Sequence, residues 1–323
     1  MRFLKLAPNI SKGMDLYTSD EHLPYMTRPL INKHVDLKTG EFTFFSKHNS
    51  AGLRDVEHSF NKDTGVFRIL GLGDSSTYGF GANFKDTYLY ILEWMLNDRK
   101  GPHPKIEIIK AGIPASYAEI QRIYLEYYGV KYSPDLILAG FLAHDVIDAY
   151  HGLNYFNVTS DNYLTCFRQN TVFLKFCKFL YFHSHLFRAI LLRLYDKFIF
   201  FNSHDYWLDI YKKDGFHEDN WKKVENEYSK MADITSGIGA KLVIVYIPEK
   251  TVLNKGIDMS YPAVRLSNWS KANNAYFIDI LPAFQKGNDM SRFYWQEGHC
   301  NPAGYKLIAE TIYTKLTEQK LVP

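Results

Sequence analysis

The chain has 323 residues, of which 46% are hydrophobic and 23% charged, with a formal net charge of +3. That balance describes an ordered globular protein and excludes a disordered or collagen-like chain. So small a positive excess leaves no electrostatic footprint for nucleic acid, and the length allows one large domain or two small ones.

The three cysteines, Cys166, Cys177 and Cys300, show no metal-type spacing, and an odd count does not suit a disulfide framework. A reducing, cytoplasmic compartment is the expectation. The start, Met1-Arg2-Phe3-Leu4-Lys5-Leu6-Ala7-Pro8, is basic but has no apolar run of signal-peptide length. No stretch reaches the roughly 18 uninterrupted apolar residues of a membrane span. The nearest, 173–201, is broken by Lys175, Lys178, Arg188, Arg193, Asp196 and Lys197. Aromatic residues make up 16% of the chain, which suits a core and also the sites that grip sugars or acyl groups.

Residues 1–66 read as an arm packed on the main domain. Pro8, Pro24 and Pro29 interrupt it, and Thr39-Gly40 signals a turn. Residues 41–45 alternate as a short strand would. The polar run 49–55 places Arg54 as a solvated surface residue, in keeping with how often arginines are exposed.

From 67 the α/β rhythm begins. Residues 67–72 alternate as a buried strand, and Gly73-Asp74-Ser75 breaks it with a tight turn. A short helix follows, for which Ser75 and Ser76 are both suitable N-caps. Helical spacing covers 88–96; strands are predicted at 106–110 and 135–141, and a helix over 117–128 lies between them. Residues 150–217 depart from this rhythm. Their long aromatic segment, 174–200, reads as a helical insertion packing its apolar face on the domain, with a lid or a membrane- or partner-facing surface as the alternative. The rhythm resumes with a helix over 220–238 ended by Gly239 and the clearest buried strand at 241–247. A helix at 262–273, a strand at 276–280 and a last helix at 302–316 follow, the last capped by Asn301 with Pro302 in its first turn.

Strands alternating with helices imply a three-layer α/β/α sandwich around a mostly parallel sheet of about five strands. Functional residues then belong at the carboxyl ends of the strands. Ser75, Gly112 and His144 each fall just after a predicted strand, so the three are expected along one edge. A serine at a strand-to-helix turn is well placed as a nucleophile, because free backbone N–H groups there favour developing negative charge. It needs a base. His299 stands in the polar loop before the last helix, and Glu297, two residues earlier, falls on the same side of an extended chain. A carboxylate so placed can hold the imidazole in the tautomer that a Ser-His-acid relay requires.

Gly73-Asp74-Ser75-Ser76-Thr77-Tyr78-Gly79 resembles the nucleophile block of the SGNH (GDSL-type) hydrolases. Lys110-Ala111-Gly112-Ile113-Pro114-Ala115 resembles their second block, and the stretch from Glu297 to Tyr305 their last. The resemblance covers about 67–323. It implies a serine esterase acting on acetyl or short acyl esters, those of carbohydrates among the candidates, and no metal or organic cofactor. Ser75 would be the nucleophile, His299 the base and Glu297 its orienting acid. The Ser75 and Gly112 N–H groups and the His144 side chain would hold the oxyanion, with Asp74, Asp145 and Asn301 in support. An O-acyltransferase acting on glycans, or an inactive glycan- or partner-binding relative, is the alternative. Two positions depart from the family pattern. His144 stands where an asparagine is usual, and Glu297 where an aspartate is usual. On this reading His144→Asn is expected to retain or raise esterase activity.

Overall fold

In this computed structural model the described residues are 13–37, 40–165, 208–213, 215, 217–250, 257–286 and 289–323, with a few positions between 179 and 190. The arm contributes β1 (Tyr17–Thr18) paired antiparallel with β2 (Met26–Thr27), and β3 (Asn32–Asp36) paired antiparallel with β4 (Thr43–Lys47). The main body follows in chain order. Its first half holds β5 (Val66–Gly73), α1 (Ser75–Tyr78), α2 (Tyr88–Asn97), β6 (Lys105–Gly112), α3 (Ala118–Tyr127), β7 (Leu136–Phe141) and α4 (Asp145–His151). After a small hairpin of β8 (Asn157–Val158) and β9 (Leu164–Thr165) come α5 (Glu218–Gly237), β10 (Lys241–Tyr246), α6 (Ser260–Ala272), β11 (Tyr276–Asp279), α7 (Leu281–Gln285) and α8 (Pro302–Glu318). Apart from the few positions between 179 and 190, the predicted helical segment 174–200 lies outside the described residues, as do the cysteines Cys166 and Cys177.

Five of these strands form one parallel sheet in the order β6-β5-β7-β10-β11. Counted along the chain, that is the 2-1-3-4-5 order of the flavodoxin-like doubly wound fold. Side chains alternate between its faces, as the two-residue period of a strand dictates. Along β10, Leu242, Ile244 and Tyr246 join one core while Val243 and Val245 join the other. Residues of α3, α5 and α6 close the first face, among them Ile120, Tyr124, Val224, Tyr228 and Leu266; those of α2 and α8, among them Leu89, Leu92, Ile308 and Ile312, close the second. The inner strands β5, β7 and β10 are therefore buried on both sides, which is why these segments read as nearly unbroken apolar runs.

The arm shares the first core: Tyr17, Tyr25, Phe44 and Leu53 are buried with Leu70, Leu72 and Ile109. It also lies along the edge strand β6. The Lys110 N–H donates to Asp55 Oδ2 at 2.8 Å, Lys110 Nζ lies 3.2 Å from Asp55 Oδ1, and His58 Nδ1 is 3.0 Å from Glu107 Oε1.

Two expectations are corrected here. Arg54 is not solvated: it is 3% exposed. Its Nη1 donates to the carbonyls of Gly79 (2.8 Å) and Tyr78 (3.3 Å), and its Nη2 to those of Ala82 (2.8 Å) and Phe45 (2.9 Å). The cap of α1 is neither Ser75 nor Ser76 but Asp74, whose Oδ1 accepts the Ser76 N–H at 2.9 Å. A carboxylate accepts such a bond at least as well as a hydroxyl, and this choice leaves the Ser75 hydroxyl available for other partners. The Asn301 cap of α8 and Pro302 in its first turn are as the sequence indicates.

Candidate active site

In a doubly wound sheet the crevice opens where the strand order reverses, outside the carboxyl ends of the strands. Here that point lies between β5 and β7. Ser75 follows β5 by two residues, and His144 follows β7 by three. Gly112 ends β6, opposite Gly73. The turn is compact because glycine occupies both positions. A Cβ at Gly73 would lie 2.0 Å from Thr77 Oγ1, and one at Gly112 would lie 2.1 Å from the Tyr78 nitrogen. The backbone of α1 therefore rests directly on the end of β6, and the half-buried Ser75 side chain points into the crevice.

His299 reaches the same crevice from the far end of the chain. Its Nε2 lies 2.9 Å from Ser75 Oγ, and its Nδ1 is hydrogen-bonded to Glu297 Oε1. The loop that carries the pair is closed by the Trp295 N–H donating to the His299 carbonyl at 2.8 Å, inside a bridge between Tyr294 and Cys300. The ring of His299 lies against Phe80 at 4.7 Å. Asn301 does not enter the crevice. Its Oδ1 accepts the N–H groups of Ala303 and Gly304, and its Nδ2 donates to the Arg292 carbonyl, so it fixes the start of α8 immediately behind His299.

The His144 side of the crevice is crowded with carboxylates. His144 Nδ1 lies 2.8 Å from Glu249 Oε1, and the His144 N–H donates to Glu249 Oε2 at 3.0 Å. Its Nε2 has Asp74 Oδ2 at 3.6 Å and Asp145 Oδ1 and Asp148 Oδ2 at 3.8 Å. Asp74 Oδ2 is also 3.4 Å from Ser75 Oγ. Asp74 and Asp145 are 1% and 0% exposed. Burial alone would lower the imidazole's affinity for a proton, but Glu249 and the aspartates outweigh it and raise it well above the ordinary value. Burial lifts the carboxyls of Asp74 and Asp145, and pushes Asp148 up to about 6. Glu249, paired most closely with the ring, is held below the usual carboxylate range despite its burial. His144, Asp145 and Asp148 are close enough together to ligate an ion. The geometry equally gives His144 the part of a fixed cation among acids.

Sequence reasoning missed Glu249, Asp148 and the buried part of Arg54. Glu249 had a signal: it follows β10, so the rule that placed Ser75 and His144 at strand ends applies to it as well.

The carboxylate cage adds to the expectation for His144→Asn. The histidine's raised proton affinity contributes stability that persists until the pH passes that raised value. The raised carboxyls of Asp145 and Asp148 favour the fold while protonated; Asp148 loses that contribution as the pH rises through about 6, and Asp145 loses its own as the pH passes its raised value. Asparagine removes the cation and leaves ionised acids facing one another. The variant is expected to lose about 2–4 kcal/mol near pH 8 and much less near pH 5. Thermal melts of both proteins across that range check it; parallel curves would refute it.

No protein-family model matches the sequence, and no curated protein matches it. Among solved structures the chain is similar to the crystal structure of TesA, at 10% identity over 78% of this chain and 98% of that one, with a TM-score of 0.47. It is similar to the psychrotrophic esterase EstA from Pseudoalteromonas sp., at 13% identity over 78% and 98%, with a TM-score of 0.46. It is also similar to Axe2, an acetylxylan esterase from Geobacillus stearothermophilus, at 13% identity over 77% and 94%, with a TM-score of 0.47.

Proposed function

We propose that the protein is a serine esterase of the SGNH type, acting on acetyl or short acyl esters. The observation that carries this reading is the relay itself: Ser75 Oγ 2.9 Å from His299 Nε2, with His299 Nδ1 bound to Glu297. In this mechanism Ser75 Oγ attacks the ester carbonyl carbon and its proton passes to His299 Nε2. Glu297 keeps the Nδ1 proton in place and stabilises the imidazolium that forms. The oxyanion lies toward the N–H groups of Ser75 and Gly112 and the His144 side chain. Collapse expels the alkoxide, which takes the proton from His299. Water then releases the acyl group from Ser75 by the same steps in reverse order. The alcohol we assign is a sugar, for which the half-buried Phe42–Trp295 stack beside the loop, with centroids 5.0 Å apart, offers an apolar face.

Treatment of the wild-type protein with a fluorophosphonate is the direct test. One label per chain, with turnover of p-nitrophenyl acetate falling in step, is the expected result. Turnover that survives complete labelling, or no labelling at all, would refute the reading. If p-nitrophenyl acetate is consumed only when an oligosaccharide acceptor is present, the reaction is acyl transfer and not hydrolysis.

A further inference from the structure

The relay is divided between the start of α1 and the loop before α8, and the N-terminal arm touches the neighbourhood of both. Glu41, just before β4, accepts the N–H of Gln296 at Oε2 (3.0 Å) and the N–H of Glu297 at Oε1 (3.2 Å). Next to it, Phe42 stacks on Trp295 with the rings 19° apart, and Trp295 Nε1 donates to the Gly81 carbonyl at 2.7 Å. Lys250 Nζ also donates to the Trp295 carbonyl at 2.8 Å. The arm's Arg54 meanwhile holds the carbonyls of Tyr78, Gly79 and Ala82, the exit of the short helix that begins with Ser75. One strand-loop segment, 41–54, thus grips the backbone on the nucleophile's side and on the acid's side.

We propose that Glu41 is a positioning residue for the relay. Its carboxylate clamps two successive N–H groups of the loop, one of them Glu297's own, and so fixes the direction in which the Glu297 side chain meets His299. A bidentate acceptor suits this task because two adjacent amides held by two oxygens of one group cannot rotate independently. The proposal rests on the esterase reading for its kinetic consequence, since a displacement of about 1 Å in a relay costs up to about 100-fold in rate. It does not rest on that reading for the geometry.

Glu41→Ala is expected to lower kcat for p-nitrophenyl acetate and the rate of fluorophosphonate labelling about 10-fold, with KM changed less than 2-fold and the melting temperature within about 3 °C of wild type. Glu41→Gln keeps one acceptor oxygen and is expected to recover part of the loss. A second measurement needs no turnover: the downfield proton resonance of His299 Nδ1–H bound to Glu297 should broaden or shift upfield in Glu41→Ala. If the wild type neither turns over nor labels, the esterase reading fails, and the resonance alone decides the role of Glu41. Wild-type labelling rates in Glu41→Ala, an unchanged resonance, or a loss that follows the melting temperature alone would each overturn the proposal.

Discussion

Ser75→Ala is expected to lower kcat for p-nitrophenyl acetate by about 10⁴-fold or more and to abolish fluorophosphonate labelling, with the protein still folded. The hydroxyl makes a 2.9 Å contact with His299 Nε2 and a long one, 3.4 Å, with Asp74, so its removal leaves the α1 cap between Asp74 and the Ser76 N–H intact. His299→Ala is expected to cost about as much, because a nucleophile without its base and a base without its nucleophile are equally idle. The double variant should then be no worse than either single one. This non-additivity is the sharper part of the prediction: residues that act as one unit lose their function together. Two independent losses that multiply in the double variant would show that Ser75 and His299 do not serve the same step.

Arg54→Ala is expected to reduce stability by about 3–5 kcal/mol, among the largest losses available to a single side chain outside the apolar core. The guanidinium satisfies four backbone carbonyls, those of Phe45, Tyr78, Gly79 and Ala82, and lies 4.7 Å over the Phe44 ring. Alanine leaves these acceptors without a donor in a site closed to solvent, at about 1–3 kcal/mol for each group that finds no other partner. Arg54→Lys should restore only part of the loss, since one ammonium cannot reproduce a planar fork that reaches carbonyls on two sides. The midpoint of urea unfolding measures both effects. A loss below about 1 kcal/mol in Arg54→Ala would mean that water replaces the guanidinium at little cost.

Arg54 also shows where reading the sequence stops. Its neighbours from Asn49 to Asp55 are polar and turn-prone, which locally describes a surface loop. Its partners are carbonyl groups 9 to 28 positions away, and carbonyls leave no trace in residue identity. The strands of the sheet were legible for the opposite reason. Burial on both faces demands long apolar runs such as Leu242 to Tyr246, and the pattern itself states the environment. The cap of α1 fell between these cases. Asp74, Ser75 and Ser76 are all good caps by type, and only the backbone path chooses among them. The proximity of Ser75 and His299 was legible as an expectation through the order of motifs along the chain. The pairing of His144 with Glu249 was not, because Glu249 stands in the loop after β10, 105 residues later, and only its place at a strand end marks it.

The arm's hold on β6 has a bearing on assembly. A strand at the margin of a sheet offers a row of unsatisfied amides to any neighbour, and soluble proteins usually blunt that offer with charge or with a covering segment. Here the Lys110 N–H is taken by Asp55 of the arm, and the Ile106 and Ile108 N–H groups by Asn97 and Glu93 of α2, so these outward amides of β6 are already paired. The opposite margin is β11, four residues long, with Tyr276 37% exposed at its start. Any joining of two such sheets into one would have to run through that short strand.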